Sequence, residues 1–137
     1  MPMLDSDTAI RETLARARRI AVVGLSSKAD RPSHSVAEAM QSEGYQIVPV
    51  NPNEDQVLGE NAFPDLRHVT GMLDMVDVFR APEHVPQIVD ACIERRVHAL
   101  WLQEGVIHEA AAPKAADAGI DVIMDRCMLK EYRRLLG

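Results

Sequence analysis

The residues best suited to bind a ligand stand together in a short polar loop that follows an apolar run. The loop covers residues 25–33 and comes directly after Gly24; its polar members include Ser26, Ser27, Lys28, Arg31 and Ser33. Hydroxyl groups and cations bind phosphate oxygens, and the amino end of a helix adds free backbone N–H groups and a positive dipole end. The loop is therefore predicted to bind a phosphate or pyrophosphate group.

The start of a helix is indicated just beyond this loop. Ser35 and Glu38 have the Ser-x-x-Glu spacing of a capping box. We expect the helix to open near residues 33–35 and to direct its free N–H groups back at the loop. Gly24 permits the sharp turn that joins the preceding strand to the loop.

Polar residues also follow the other apolar runs. Asn51 and Pro52 come after the run at 46–50, Arg80 after the run at 75–79, and Gln103 after the run at 97–102. In an open parallel sheet the carboxyl ends of the strands share one edge, where ligands bind. These residues are therefore expected beside the loop, and Arg126, after the run at 120–124, would add a further positive charge there.

Apolar runs and helical patterns alternate along the chain, and this alternation positions the loops. The predicted strands cover residues 20–25, 46–50, 75–79, 97–102 and 120–124, and the predicted helices cover 5–18, 36–43, 85–93, 109–118 and 126–136. Such an alternation predicts a parallel sheet with helices on both faces. The fold class is α/β: a single Rossmann-like domain over residues 1–137, with a five-stranded, mainly parallel sheet, an amino-terminal helix at 5–18 and a core at 19–136. Residues 54–73 have weak periodicity and predict a loop with a short strand or turn.

The composition excludes several classes of function. The 137 residues carry a net charge of -6, which argues against a nucleic-acid surface. No apolar run approaches the roughly 20 residues of a membrane span, and the amino terminus has no secretory signal, so a cytoplasmic location is expected. Cys92 and Cys127 form no CxxC motif, and no metal site is predicted.

A series of short motifs resembles the small stand-alone CoA-binding proteins. The motifs are Val23-Gly24-Leu25-Ser26, Arg31-Pro32-Ser33, Pro49-Val50-Asn51-Pro52, Leu58-Gly59, Asp77-Val78-Phe79-Arg80, Trp101-Leu102-Gln103-Glu104-Gly105 and Asp125-Arg126-Cys127. The fold of that family resembles the CoA-binding domain at the amino end of the succinyl-CoA synthetase alpha subunit. The resemblance runs from about Ile20 to Glu131.

The resemblance implies that coenzyme A or an acyl-CoA is the ligand. It implies that the loop around Gly24, Ser26, Lys28 and Arg31 holds the CoA phosphates, that Asn51 and Pro52 flank the nucleotide, and that Phe79, Arg80 and Gln103 line the edge nearer the pantetheine arm. The predicted binding residues are Gly24, Leu25, Ser26, Ser27, Lys28, Arg31, Ser33, Asn51, Pro52, Phe79, Arg80 and Gln103.

No catalytic set is predicted. Ligase activity does not follow from the resemblance, because the phosphorylated histidine of the synthetase lies in a domain that has no counterpart in this sequence. His34 is the histidine nearest the loop, but it has no visible partner for catalysis. Cys127 is either a reactive thiol or a small buried residue, and the second interpretation is favoured. Trp101 is interpreted as a core residue.

Two other functions stay open. The first is an NAD(P)-binding enzyme or redox sensor, although the chain has a single glycine of the G-x-G-x-x-G fingerprint and has Asn51 where an acidic residue is expected. The second is an interaction module that acts with a synthetase-like partner. Preferential binding of NAD would support the first, and co-purification with a partner would support the second.

Overall fold

Five parallel strands form the central sheet. The computed structural model describes residues 3–137. Its strands are β1 (Arg19–Val23), β2 (Gln46–Val50), β3 (Gln56–Val57), β4 (Glu60–Asn61), β5 (Met75–Val78), β6 (Ala99–Leu102) and β7 (Asp121–Ile123). The sheet order is β2-β1-β5-β6-β7, with every neighbouring pair parallel, while β3 and β4 form a separate antiparallel hairpin.

Helices cover both faces of this sheet. They are α1 (Asp7–Arg16), α2 (Pro32–Ser42), α3 (Val85–Arg95), α4 (Ala111–Asp117) and α5 (Met128–Leu135). One apolar core joins the sheet to α3 and α4, and a second joins it to α1, α2 and α5. The predicted fold class is confirmed. No helix within residues 3–137 combines the length and apolar character that a membrane crossing requires.

The order of the strands reverses between β1 and β5. The chain passes from β1 outward to β2 and then returns across the sheet to β5, on the other side of β1. A reversal of this kind separates the loops that follow the two central strands and leaves a crevice at their carboxyl ends. The loops after β1 and β5 therefore flank the topological switch point.

The start of α2 differs from the prediction. The helix begins at Pro32, and its N-cap residue Arg31 makes no side-chain capping bond. The Ser35 hydroxyl donates to the Pro32 carbonyl oxygen at 3.2 Å, inside the helix. The capping-box prediction was wrong, because proline at the first helical position needs no N–H partner and already has a helical φ.

Residues 54–73 contain more order than their weak periodicity indicates. Leu58 and Gly59 join β3 to β4 with φ values of 55° and 79°, as a two-residue hairpin turn with two positive φ angles requires. Beyond the hairpin, the Arg95 guanidinium donates to the carbonyl oxygens of Leu66, Val69 and Gly71 at 2.6, 2.5 and 2.8 Å. A side chain distant in sequence therefore fixes the course of this segment.

Short segments lie along both edge strands of the sheet. Phe63 bridges to Val50 of β2, and its N–H donates to the Pro49 carbonyl oxygen at 3.0 Å. On the opposite edge, the Leu4 N–H donates to the Val122 carbonyl oxygen of β7 at 2.8 Å.

Candidate functional site

Gly24 brings the loops after β1 and β5 into contact. Its φ is +88°, and its N–H donates to the Val50 carbonyl oxygen at 2.8 Å. A Cβ atom at this position would lie 2.8 Å from the Phe79 carbonyl oxygen and 3.0 Å from Cδ of Arg80. Glycine is therefore required twice, for its backbone conformation and for the close approach of the neighbouring loop.

Hydroxyl groups shape the loop after β1. The Ser26 N–H donates to Oγ of Ser33, and the Lys28 N–H donates to Oγ of Ser26, both at 3.1 Å. Ser33 is buried, whereas Ser26 is partly exposed. A hydroxyl oxygen that accepts a hydrogen bond keeps its own O–H donor, so both serines can shape the loop and still donate to an anion.

The side chains of Lys28 and Arg31 are exposed at the mouth of this loop. Within residues 3–137, neither side chain forms a salt bridge or a hydrogen bond. The Arg31 carbonyl oxygen accepts from the N–H groups of His34 and Ser35, so its backbone belongs to the first turn of α2. Two cations thus lie beside the amino end of a helix, which favours an anionic ligand.

Asn51 ties the loop after β2 to the loop after β1. Its Nδ2 donates to the Leu25 carbonyl oxygen at 3.1 Å, and its Oδ1 accepts from the Asn53 N–H at 2.9 Å. Leu25 is 0% exposed, so it packs in the core beneath the loop and presents no surface to a ligand. Pro52 is exposed next to this connection.

A cleft of about 160 Å³ opens beside the carboxyl ends of β1 and β2. Val23, Val50, Pro52, Leu66 and Ile88 supply much of its apolar lining, and Arg80 and His84 stand among its polar residues. Nη2 of Arg80 lies 3.1 Å from Nε2 of His84. An apolar wall with a cation beside it suits an aromatic base that carries phosphate groups.

A larger cavity, of about 910 Å³, lies at the opposite end of the sheet. Residues around the amino ends of β5, β6 and β7 line it, among them Arg16, Asp74, Arg96, His98 and Asp121. None of the predicted binding residues lies there. Because open α/β sheets bind ligands beyond the carboxyl ends of their strands, we place the candidate site at the smaller cleft and the loop beside it.

Gln103 and Asp77 form a buried pair on the face of the sheet that packs against α1, α2 and α5. Nε2 of Gln103 donates to Oδ1 of Asp77 at 2.6 Å, and Oε1 of Gln103 accepts from the Met128 N–H at 3.4 Å. Asp77 is 1% exposed, and this burial raises the pKa of its carboxyl to about 7. Gln103 is itself buried and engages both ends of its amide, so it links β5 to the start of α5 rather than projecting into the cleft.

The pairing of Asp77 with Gln103 was not predicted, although the alternation of residues along the strands indicates that the two side chains share a face. Asp77 lies opposite Trp101 in the register of β5 and β6, and Gln103 lies two residues beyond Trp101. Residues two apart in a strand share a face, so both polar groups belong to the same side of the sheet. Trp101 is fully buried there, which confirms its assignment to the core, and its indole N–H donates to the Arg126 carbonyl oxygen at 2.8 Å.

Four other residues that the sequence singles out do not line this cleft. Phe79 packs partly buried against the core shared with α1, α2 and α5. Nη1 of Arg126 donates to Oε1 of Glu131 at 2.6 Å, so its charge forms an ion pair with α5.

Cys127 is a partly buried free thiol at the N-cap of α5. Nδ1 of His34 is buried, with no hydrogen-bond partner within residues 3–137. In this part of the chain no group of His, Cys, Asp and Glu is arranged to hold a metal ion.

Glu54 is a further residue of the loop region that sequence reasoning missed. Its Oε2 accepts from the Ser27 N–H at 2.9 Å. The Ser27 N–H and hydroxyl, with Lys28 nearby, lower the pKa of the Glu54 carboxyl. The sequence places Glu54 after Asn51 and Pro52 but gives no sign that its carboxylate reaches the loop after β1.

Comparison with known proteins places this chain among relatives of the same fold. Residues 18–133 match the family model described as a CoA binding domain. An uncharacterized protein of Bacillus subtilis, YneT, is 43% identical over 123 residues, which cover 90% of this chain and 91% of that protein. A solved structure of a hypothetical protein from Pyrococcus horikoshii has 32% identity and a TM-score of 0.94, and the match covers 100% of this chain and 98% of that one.

A more distant match extends to an enzyme. The chain is 24% identical over 82 residues to an ADP-forming acetate–CoA ligase of Archaeoglobus fulgidus, over 58% of this chain and 12% of the ligase. The similarity is therefore confined to a small part of that enzyme.

Proposed function

Because the chain belongs to the CoA-binding domain family, we propose that it binds coenzyme A or an acyl-CoA across the loops that follow β1, β2 and β5. The observation that carries this proposal is the contact of Gly24 with Phe79 and Arg80 at the switch point. That contact joins a basic, hydroxyl-rich loop to the edge of an apolar cleft. A ligand with both a pyrophosphate and an aromatic base fits such a combination.

In this proposal the phosphates meet the loop after β1. Lys28 and Arg31 supply positive charge, and the hydroxyls of Ser26, Ser27 and Ser33 supply donors. These local groups must act together, because the whole chain carries a net charge of -6 and each exposed helix-end interaction contributes only about 0.3–1 kcal/mol. Arg80 adds a cation from the loop after β5.

The nucleotide base would lie in the cleft beside Val50 and Pro52. Asn51 would support it by holding the loops after β1 and β2 together through its bond to Leu25. The pantetheine arm would pass Phe79, above the buried Gln103. The chain acts in this proposal as a binding protein without catalytic residues of its own.

The first test is calorimetric titration of the purified protein with CoA, with dephospho-CoA and NAD as controls. The Arg31→Ala variant is expected to bind CoA roughly three- to tenfold more weakly, because it loses one charged phosphate contact. Arg31 is exposed and caps α2 only through its backbone, so the variant should stay folded. Arg133→Ala, which removes an exposed arginine of α5, is the matched control. Absence of CoA binding, or a preference for NAD, would contradict the proposal.

The similarity to the acetate–CoA ligase supports a second candidate function. In this candidate the chain delivers bound CoA to a synthetase-like partner protein. Co-purification from the native source and acyl-CoA ligase activity present only in the mixture would support it. Tight CoA binding with no such activity in the mixture would contradict this second candidate and would retain the first.

A further inference from the structure

We propose, on the basis of the CoA site inferred above, that the Glu54 carboxylate competes with a ligand phosphate for the Ser27 backbone N–H and thereby lowers the affinity of the site. Glu54 lies in the connection between β2 and β3, yet its Oε2 accepts from the Ser27 N–H at 2.9 Å. The loop that bears Ser27 is the same loop that offers Lys28 and Arg31 to an anion. The Ser27 N–H of this loop is therefore already occupied by an anionic group of the chain itself, the Glu54 carboxylate.

The chemistry of this contact is that of a bound anion. A carboxylate that accepts from a backbone N–H at 2.9 Å uses a donor of the kind that binds a phosphate oxygen. The lowered pKa of Glu54, caused first by the Ser27 N–H and then by the Ser27 hydroxyl and Lys28, keeps the carboxyl ionised at neutral pH. Its negative charge also offsets part of the positive charge of Lys28.

The course of the chain holds Glu54 in place. The Glu54 N–H donates to the Asn51 carbonyl oxygen at 3.3 Å, and Asn51 is bonded to Leu25 through its side chain. Because this short segment is fixed to the loop after β1, the carboxylate stays at a high effective concentration next to Ser27. A ligand phosphate that binds the Ser27 N–H must displace it.

Glu54→Gln is the variant that tests the competition. Glutamine keeps an oxygen that can accept from the Ser27 N–H, but it removes the negative charge. Asp55→Asn is the matched control, since it removes an equal charge from an exposed neighbour whose carboxylate forms no hydrogen bond or ion pair with Ser27 within residues 3–137. We expect Glu54→Gln to bind CoA roughly three- to tenfold more tightly than the parent protein, and Asp55→Asn to bind within about twofold of it. Unchanged or weaker binding by Glu54→Gln would overturn the inference and would assign Glu54 a supporting role in the loop.

A second measurement separates this inference from the proposed function. The Ser27 amide resonance is followed by NMR while inorganic pyrophosphate is added to the parent protein and to Glu54→Gln. The resonance is expected to shift at lower pyrophosphate concentration in the variant. If that holds while neither protein binds CoA, the competition stands and the CoA proposal fails. If pyrophosphate leaves Ser27 unperturbed in both proteins, the competition is overturned.

Discussion

At the scale of single residues, Gly24 combines two constraints that have different origins. Its positive φ follows from the turn after β1, which the sequence predicts from a glycine at the end of an apolar run. Its closeness to the Phe79 carbonyl oxygen exists only because β5 is the neighbour of β1 in the sheet. The second constraint comes from tertiary structure, and no local pattern around residue 24 reveals it.

Gly24→Ala tests both constraints at once. The new methyl group would meet backbone atoms that cannot rotate away, so we expect a loss of about 3 kcal/mol in the free energy of unfolding. Gly119→Ala is the control, because Gly119 also has a positive φ but nothing lies within 4 Å of its Cβ position. The control is expected to lose only about 1 kcal/mol. Equal losses in urea unfolding would contradict the role of the contact with Phe79.

The candidate binding residues were selected by residue type, which does not predict the hydrogen bonds that they form in the structure. Ser26, Lys28 and Arg31 could be chosen because hydroxyls and cations next to a helix start indicate an anion site. The engagement of the Ser27 N–H by Glu54 depends on how the segment after β2 folds back. Leu25 and Gln103 are buried because of packing across the sheet, which the spacing of polar residues after strands does not encode.

At the scale of the elements, the carboxyl end of α3 contains one arginine that anchors residues 66–71 and one that has a strained backbone conformation. Arg95 bonds three carbonyl oxygens of residues 66–71, so it anchors the segment before β5. Arg96, the next residue, is exposed and has φ 54° and ψ 43°, the left-handed conformation that usually belongs to glycine at a helix end. Two adjacent arginines therefore have opposite effects on stability.

Arg96→Gly is expected to raise the free energy of unfolding by about 0.5–1 kcal/mol, since glycine adopts this conformation without a Cβ penalty. Thermal unfolding measures the change. Arg96→Ala keeps the Cβ atom and removes the charge, so it controls for electrostatic effects and should not stabilise the protein. A gain of equal size in both variants would mean that the arginine charge, and not the backbone conformation, is the source of the strain.

At the scale of the whole molecule, the alternation of apolar runs and helices was sufficient to predict a parallel sheet covered on both faces. The strand order was not predicted, because several orders satisfy the same alternation, and the observed order depends on which side of β1 the chain takes after β2. The segment at 54–73 was the least predictable. Its course is set by Arg95, which follows it in the chain by more than twenty residues.

The buried Asp77 makes the stability of the whole fold depend on pH. Its pKa rises from 3.8 to about 7 on folding, so the folded state holds the proton more tightly than the unfolded chain does. The resulting stabilisation is full below about pH 4 and is lost as the pH rises through 7, for a total on the order of 4 kcal/mol. Carboxyls with a lowered pKa, such as Glu131, stabilise the fold more as the pH rises. The effect of Asp77 is therefore isolated by comparing the pH dependence of stability of the parent protein with that of an Asp77 variant.

Asp77→Asn is isosteric with the protonated acid and cannot ionise. Its stability relative to the parent protein is expected to improve steadily between pH 4 and pH 8, by up to about 4 kcal/mol. Chemical denaturation of both proteins across this range measures the difference. A difference that does not change with pH would mean that Asp77 keeps one protonation state throughout.

The segments that lie along β2 and β7 also bear on self-association. An uncovered edge strand is a template on which a second chain can add its own strand, and long runs of such additions produce fibrils. Here Phe63 engages the carbonyl oxygen of Pro49, which itself has no N–H to offer, and Leu4 engages Val122 on the far edge. The two segments thereby cover part of each edge strand and obstruct the addition of a second strand there.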